Sequence, residues 1–262
     1  MPSHRGLRFG GVADLYERAR PSYPAALIAE VVSLLPGPRV VEVGAGTGKA
    51  TRLLAGHGLN LTCLEPDAAM VAVLRSMIVP AAAPDSRFAP SVAVVESTFE
   101  AWQPPSEPFD GLVSAQAWHW TDERRWDRAA GVLRPGGLLA LWWNVEIWGT
   151  SDVERAVEAA YLASGVSPEE SPIWTRVRDK DWPENEFSVH PEFEYLGMRA
   201  FPAPHRYKSG DFTDYLDTSS HHRMLDEAVR ARLAAGIRSA IDAHGGEISV
   251  NRRTHLYIGR RH

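Results

Sequence analysis

Short apolar stretches alternate with stretches of helical spacing along the first half of the chain. Apolar residues recur with a helical period from Leu15 to Leu35, and two prolines within this range predict two helices with a rigid joint. The strands that follow are predicted at 39–43, 61–64, 91–96, 109–114 and 138–143, and the helices at 49–55, 68–77 and 122–133. Strands that alternate with helices favour a parallel sheet covered on both faces.

The pattern changes after residue 144. Helices rich in tryptophan and charge are predicted at 154–162, 212–216 and 228–244, and strand candidates lie among them at 194–201 and 254–259. Neither strand has a crossover pattern of its own, so we assign both to the same sheet. We interpret the helices as a cap over the carboxyl edge of that sheet, and residues 80–90 as a surface loop.

The composition of the chain argues against several classes of protein. Hydrophobic residues make up 44% and charged residues 23% of the 262 residues, which is ordinary for a globular chain and argues against disorder. The net charge of -5 without a basic run disfavours a nucleic-acid partner. The single cysteine, Cys63, cannot form an internal disulfide, and no apolar run is long enough to span a membrane. We therefore expect a cytoplasmic protein.

A glycine-rich turn follows the first predicted strand. Gly44, Gly46 and Gly48 would place backbone N–H groups and a helix amino terminus at the carboxyl edge of the sheet, where small ligands bind in α/β folds. A dinucleotide fingerprint needs its third glycine at the position of Lys49, so the spacing disfavours a nicotinamide oxidoreductase. About 20 residues after Gly44, Glu65 ends the second strand, where a carboxylate can accept hydrogen bonds from ribose hydroxyls.

These residues carry a resemblance to a known family. Residues 40–49 (VVEVGAGTGK) resemble motif I of class I S-adenosylmethionine-dependent methyltransferases, and residues 65–70 (EPDAAM) resemble motif II. Residues 132–137 are similar to the turn before the family's fifth strand, and Ala13 to Pro24 resembles an amino-terminal signature of a bacterial small-molecule branch that includes trans-aconitate methyltransferase-like proteins. The resemblance implies a Rossmann-like α/β fold whose seven-stranded sheet is mostly parallel with an antiparallel last strand.

The resemblance also implies how the chain is organised. Residues 1–262 would form a single methyltransferase domain with a cofactor-binding core at 25–144. The helical cap would comprise 145–188 and 203–235. The final strands of the sheet would lie within 189–202 and 246–262.

S-adenosylmethionine is the cofactor that the resemblance implies, with S-adenosylhomocysteine as its product. Glu42 would lie near the methionine amino group, Glu65 would hold the ribose and Met70 would flank the adenine. Tyr16 and Arg20 would close over the cofactor, with the Arg20 guanidinium available for its carboxylate. The expected cofactor-binding residues are Tyr16, Arg20, Glu42, Gly44, Ala45, Gly46, Glu65, Pro66, Met70, Thr98, Phe99 and Ala115.

Methyl transfer from a sulfonium requires in-line positioning and exclusion of water, and we expect no metal because the histidine spacing does not match a ligand set. A proton acceptor is the other candidate requirement. His119 follows the fourth strand, and a neutral imidazole can accept a phenolic or indole proton, although a histidine between two tryptophans can equally be a packed side chain. Tyr23 and His222 are secondary candidates for catalysis.

Tryptophans are concentrated near the predicted carboxyl ends of strands. Trp142 and Trp143 must point to opposite sides of their strand, so at most one of them lines a pocket. An aromatic wall would favour a flat, aromatic or heteroaromatic acceptor. The candidate substrate-binding residues are Trp118, Trp120, Trp143, Asn144, Trp148 and His221.

Several functions remain open from the sequence. Carboxyl O-methylation of an organic acid is the second enzyme hypothesis, and it needs no general base because a carboxylate is already a nucleophile near pH 7. A non-catalytic cofactor-binding protein is the third. The expected partner is a small molecule rather than a nucleic acid or a membrane, and the chain is either a monomer or a homodimer.

Overall fold

The alternation of strands and helices is present in the structure, a computed structural model that describes residues 13–78, 91–167 and 182–262. Two short helices, α1 (Ala13–Ala19) and α2 (Ala25–Leu34), precede the sheet. Pro24 is the N-cap residue of α2, with φ of -59°, so its fixed backbone angle sets the joint that the two prolines predicted. The predicted loop at 80–90 lies outside the described residues.

Parallel strands and crossover helices form the next part of the chain. The elements are β1 (Arg39–Val43), α3 (Lys49–Ala55), β2 (Asn60–Glu65), α4 (Ala68–Met77), β3 (Val92–Glu96), β4 (Phe109–Ala115), α5 (Arg125–Val132) and β5 (Leu133–Ile147). The strands pair in parallel in the order β3-β2-β1-β4-β5. Their boundaries agree with the predictions to within a few residues, except that β5 is much longer at both ends.

Antiparallel strands complete the sheet. They are β6 (Phe193–Pro202), β7 (His205–Lys208) and β8 (Glu247–Arg261). β8 lies between β5 and β6 and is antiparallel to both, which confirms the mostly parallel seven-stranded sheet with an antiparallel last strand. β7 adds an eighth strand within the region predicted as helical cap. Its four residues are too few to produce a recognisable alternation, and it exists because it pairs with the first residues of β8.

The cap has a hydrophobic core of its own. Its helices are α6 (Asp152–Ala163), α8 (Ser209–Asp217), α9 (Ser220–Arg223) and α10 (Glu227–Asp242). Buried side chains from these helices, including Tyr161, Phe212 and Ile237, pack with Ile248 and Val250 at the start of β8. The cap therefore covers the part of β8 that extends beyond the parallel strands, and α10 continues past the predicted end of the cap.

One predicted cap helix packs elsewhere. Phe187 of α7 (Trp182–Val189) is buried with Trp126, Phe193 and Tyr257 against the sheet. A Cβ atom on Gly259 would lie 2.3 Å from the Phe187 ring. Assignment of residues 182–188 to the cap is therefore corrected: an aromatic side chain fills the space beside a glycine of β8. None of the helices in the described ranges is long and apolar enough to cross a membrane.

The two faces of the sheet are distinct. The Trp142 face, named here for that residue, is covered by α2, α3 and α4, whereas the Trp143 face is covered by α5 and α7. Trp142 and Trp143 belong to these different clusters, as strand alternation predicts. Cys63 is a buried free thiol on the Trp142 face.

Candidate active site

The glycine loop between β1 and α3 has three residues in the left-handed region. The φ angles of Gly44, Gly46 and Gly48 are 73°, 58° and 86°. A Cβ atom on Gly44 would meet the Cβ of Ala117 at 2.3 Å, and one on Gly48 would meet Leu74 at the same distance, so both glycines are required for packing. A Cβ on Gly46 would have no described atom within 4 Å. The loop thus leaves open space at its centre, next to Gly46.

Glu42 lies at the base of this loop and is 1% exposed. The Thr51 hydroxyl donates to Oε2 over 2.6 Å, and the Cys63 thiol approaches the same oxygen at 3.6 Å. The other oxygen, Oε1, is buried with no hydrogen-bond partner among the described residues. Burial raises the pKa of Glu42 to about 7. A cationic donor such as an ammonium group fits this acceptor, so these residues match the predicted cofactor.

Glu65 at the end of β2 braces the loop. Its Oε2 accepts the Gly46 N–H over 2.8 Å, and Oε1 accepts the Asp67 N–H over 2.9 Å. Burial raises the pKa of Glu65 to about 7, against the opposing effect of these two backbone donors. The sequence did not indicate this role within the loop. Each carboxylate oxygen retains a second lone pair, so the predicted contact with a ribose remains possible and stays a prediction.

The start of α4 lies beside Glu65. Asp67 caps this helix by accepting the N–H groups of Ala69 and Met70 through Oδ1. The Met70 side chain is 3% exposed, and Pro66 is half-buried. The Asp67 N-cap fixes the backbone of the first turn of α4, which includes Met70, the residue that the resemblance places beside adenine.

The segment after β3 is partly incorporated in the core. Phe99 is buried, and its ring packs against Trp118 with centroids 6.0 Å apart. Thr98 is half-buried, and its hydroxyl accepts the Ala101 N–H over 3.2 Å. Any contact of Phe99 with a cofactor would therefore involve its backbone rather than its ring.

Helix α1 connects the glycine-loop region with the cap. Glu17 forms ion pairs with Lys49 and Arg52 of α3. The Arg20 Nε–H donates to the Thr218 hydroxyl over 2.6 Å, and the guanidinium lies 5.3 Å from the Tyr16 ring centroid. The Arg20 side chain is directed toward the cap, and its contact with a cofactor carboxylate stays a prediction.

The turn after β4 brings the predicted base to the edge of the sheet. Ala115 ends β4 half-buried, and Gln116 has a φ of 61°, the sole left-handed value of a non-glycine residue in the described ranges. The Gln116 N–H donates to the Trp142 carbonyl over 2.9 Å. Ala117 then contacts Gly44, and a short 3-10 helix carries His119. The strained residue thus aims this segment across the glycine loop, and no sequence pattern singled it out.

His119 lies in an aromatic cluster with Trp120 and Trp143. The side chain is exposed, and its ring centroid is 4.5 Å from that of Trp120. The Trp143 indole N–H donates to His119 Nδ1 over 3.3 Å. A neutral imidazole that accepts at Nδ1 carries its proton on Nε2 and presents it as a donor. His119 would have to release the Trp143 bond before Nδ1 accepted a substrate proton.

Three predicted substrate-binding residues are engaged elsewhere. Trp118 is 0% exposed, and it packs between Phe99 and Trp126, so its assignment to an aromatic wall is corrected. Trp148 stacks on Phe212 of the cap with centroids 6.4 Å apart. Asn144 is buried, and its Oδ1 accepts the Thr254 hydroxyl over 2.7 Å. Of the predicted aromatic wall, Trp120 and Trp143 remain, and both lie next to His119.

The secondary catalytic candidates are packed side chains. Tyr23 contacts the Trp142 ring edge-on at a centroid distance of 5.8 Å. His222 is 4% exposed, and its Nε2 lies 2.8 Å from the Tyr161 hydroxyl in the cap core. Burial lowers the pKa of His222 to about 4, with a further contribution from His221. His222 is therefore neutral near pH 7, and the exposed His221 lies beside it on the cap surface.

The loop, the buried acids and the sheet order together define the fold of class I methyltransferases, and comparison with known proteins agrees. Residues 41–141 match the family model described as a methyltransferase domain. Across its whole length the chain resembles the methyltransferase from Thiobacillus denitrificans solved with S-adenosylhomocysteine, with a TM-score of 0.52, 15% identity, and coverage of 97% of this chain and 98% of that chain.

Curated relatives support the same class. An uncharacterized methyltransferase of Mycobacterium tuberculosis is 39% identical over 141 residues, covering 53% of this chain and 52% of the relative. A trans-aconitate 2-methyltransferase of Paracidovorax citrulli is 32% identical over 130 residues, covering 48% and 45%. The match spans about half the length of these relatives. Residues 41–141 therefore form a methyltransferase domain.

Gln116 yields a prediction about backbone strain. A non-glycine residue in the left-handed region destabilises the fold by about 1–2 kcal/mol. Glycine removes this strain, but its greater freedom in the unfolded chain offsets part of the gain. We expect Gln116→Gly to keep or raise the free energy of unfolding by up to about 1 kcal/mol, and Gln116→Val to lower it by about 1–3 kcal/mol. Urea denaturation measures both. Equal losses in the two variants would contradict the assignment of strain.

Glu42 yields a prediction about pH. Because its pKa in the folded protein is about 7, against an ordinary 4.5, the protonated carboxyl stabilises the ligand-free fold below pH 4.5. That contribution is lost as the pH rises toward 7, at about 1.4 kcal/mol per unit of raised pKa. Glu42→Gln should flatten the fall in unfolding free energy between about pH 5 and 7, whereas Glu107→Gln changes an exposed carboxyl and should leave it unaltered. An unchanged slope in Glu42→Gln would refute the shift.

Proposed function

We propose that this protein is an S-adenosylmethionine-dependent methyltransferase that modifies a small molecule between the glycine loop and the helical cap. The observation that carries the proposal is a glycine loop with open space at Gly46 that follows a strand whose Glu42 has a buried Oε1 without a donor among the described residues. A buried carboxylate oxygen without a donor is costly, and a bound ammonium group would remove that cost. S-adenosylmethionine supplies an electrophilic methyl group when bound.

The protein's own contribution is positioning. Glu65 holds Gly46 in place, and the Gly44–Ala117 contact fixes the glycine loop against the segment that carries His119. Helix α1 spans from α3 to the cap through Glu17 and Arg20, so it can exclude water from the space between them. In-line orientation in a water-poor site is the main requirement of this reaction class.

We propose a small aromatic or heteroaromatic acceptor as the first candidate substrate class. Its support is the aromatic cluster of His119 and Trp120, which follow β4, with Trp143, which lies in β5 just beyond its pairing with β4. In this proposal His119 takes the proton of a phenol-like or indole-like group, after Nδ1 is released by Trp143 or after the ring changes tautomer.

Carboxyl O-methylation of an organic acid is the second candidate. The donor Nε2–H that the Trp143 bond leaves on His119 would orient a carboxylate, which reacts without a general base. The similarity of half the chain to trans-aconitate 2-methyltransferases points in the same direction.

Binding of S-adenosylhomocysteine tests the proposed function. Gly46→Ala and Gly58→Ala form a matched pair, because both glycines have positive φ and a Cβ atom added to either would have no described atom within 4 Å. Each substitution should lower the free energy of unfolding by about 1 kcal/mol. By calorimetry, Gly46→Ala should bind the ligand at least about tenfold more weakly, and Gly58→Ala should bind like the parent protein. Undetectable binding by the parent protein would overturn the proposal.

The role of His119 has a separate test. Methyl transfer is measured on a panel of phenols, indoles and small acids. If His119 is the base, His119→Ala should lower kcat by about 10²–10⁴ without changing the affinity for S-adenosylhomocysteine. His244→Ala, which changes an exposed histidine at the end of α10, serves as the control. Full turnover by His119→Ala would remove His119 from the mechanism. A rate independent of pH above about pH 5 would favour carboxyl methylation instead.

A further inference from the structure

A group of charged and aromatic side chains lies where the cap meets the sheet, and all of its members are buried except Arg20, which is half-buried. The Tyr215 cluster consists of Arg20, Glu146, Tyr207, Tyr215 and Arg252. Arg252 and Glu146 are each 1% exposed and form an ion pair of 3.1 Å across β8 and β5. The Tyr215 hydroxyl donates to Glu146 over 2.5 Å, and Nη2 of Arg252 donates to the Tyr207 hydroxyl over 2.9 Å.

Two guanidinium groups meet at the Tyr215 ring. The guanidinium carbon of Arg20 lies 5.0 Å from the ring centroid, and that of Arg252 lies 5.3 Å from it. The two hydrogen bonds of Arg20 end on uncharged atoms, the hydroxyl and the carbonyl oxygen of Thr218. Arg20 directly follows α1 and Arg252 lies in β8, so the two residues are far apart in the sequence and no pattern along the chain predicted their convergence.

The charges of the cluster do not balance. Within the described part of the chain, two guanidinium groups and one carboxylate meet at Tyr215, which leaves one positive charge in excess. Removing a cation from water is costly unless an anion compensates it, and arginine presents a planar fork that matches a carboxylate. The cluster is therefore suited to receive one further anionic group.

The strand register places this cluster away from the glycine loop. Ala115 at the end of β4 pairs with Trp142, which pairs with Leu256, and Arg252 lies four residues farther along β8. At about 3.3 Å per residue this is about 13 Å beyond the carboxyl edge of β4, and β8 is three strand intervals, about 14 Å, from β1. Arg252 and Glu146 lie on the Trp142 face, the face to which Glu42 also belongs.

We propose that the Tyr215 cluster is an anion subsite that holds an acidic group, a carboxylate, of the methyl acceptor through Arg20 and Arg252. The bound group is an anchor that is distinct from the atom that receives the methyl, since the cluster lies under the cap rather than at the loop. This inference rests on the proposed methyltransferase function and narrows its acceptor to acidic small molecules, among them aromatic acids.

Calorimetry with the protein saturated with S-adenosylhomocysteine tests this subsite. The probes are benzoate and indole-3-acetate, each compared with its uncharged amide. We expect at least one acid to bind about tenfold more tightly than its amide, because only the acid carries a charge for the guanidinium groups. Arg20→Gln should remove this preference, and Arg20→Lys should restore part of it. Arg206→Gln changes an exposed arginine of β7 that pairs with Glu247, and this matched control should preserve the preference.

Arg20 is chosen because Arg252→Gln would remove the cation that compensates the buried Glu146 carboxylate and would endanger folding. Equal binding of each acid and its amide, or binding of neither, overturns the subsite while leaving cofactor binding intact. Loss of S-adenosylhomocysteine affinity in Arg20→Gln, with the acid preference preserved, overturns it by assigning Arg20 to the carboxylate of the cofactor. Failure of the parent protein to bind S-adenosylhomocysteine instead refutes the proposed function.

Discussion

The contact between Gly44 and Ala117 is the constraint on which the rest of the site depends. The Ala117 Cβ occupies the space that a side chain on residue 44 would need, at 2.3 Å from its Cβ position. The glycine loop after β1 and the turn after β4 can therefore lie against each other at the edge of the sheet. The left-handed Gln116 directs the chain into this contact, and the segment with His119 begins directly after it. The loop and the candidate base are thus held by one packing arrangement.

Two buried acidic side chains near this contact are only partly compensated by hydrogen-bond donors. Glu42 and Glu65 both have a pKa raised by desolvation to about 7. Glu65 is partly compensated by two backbone N–H groups, whereas one oxygen of Glu42 has no donor in the described residues. Buried acidic groups with shifted pKa values are concentrated at functional sites, and both of these groups lie at the glycine loop.

Polar pairs extend this arrangement from the sheet into the cap. Asn144 bonds to Thr254, and Glu146 bonds to Arg252 one step farther along the same two strands. Because these pairs lie on the Trp142 face beyond the parallel strands, β5, β6 and β8 form an antiparallel extension whose polar side is covered by the cap. Glu17 of α1 pairs with Arg52 of α3, and Arg20, directly after α1, bonds to Thr218, so this segment links α3 to the cap.

The sequence determined the local features of this protein. Apolar periodicity located the strands and crossover helices, and the glycine spacing with Glu65 located the ligand loop, because both signals depend on neighbours along the chain. Only the tertiary structure decided which tryptophans are core residues: Trp118, which follows β4, is fully buried, whereas Trp143 within β5 contacts His119. It also decided the length of β5, the existence of β7 and the meeting of Arg20 with Arg252. Burial and strand pairing are set by partners distant in sequence, and a pattern of residue types along one segment does not contain them.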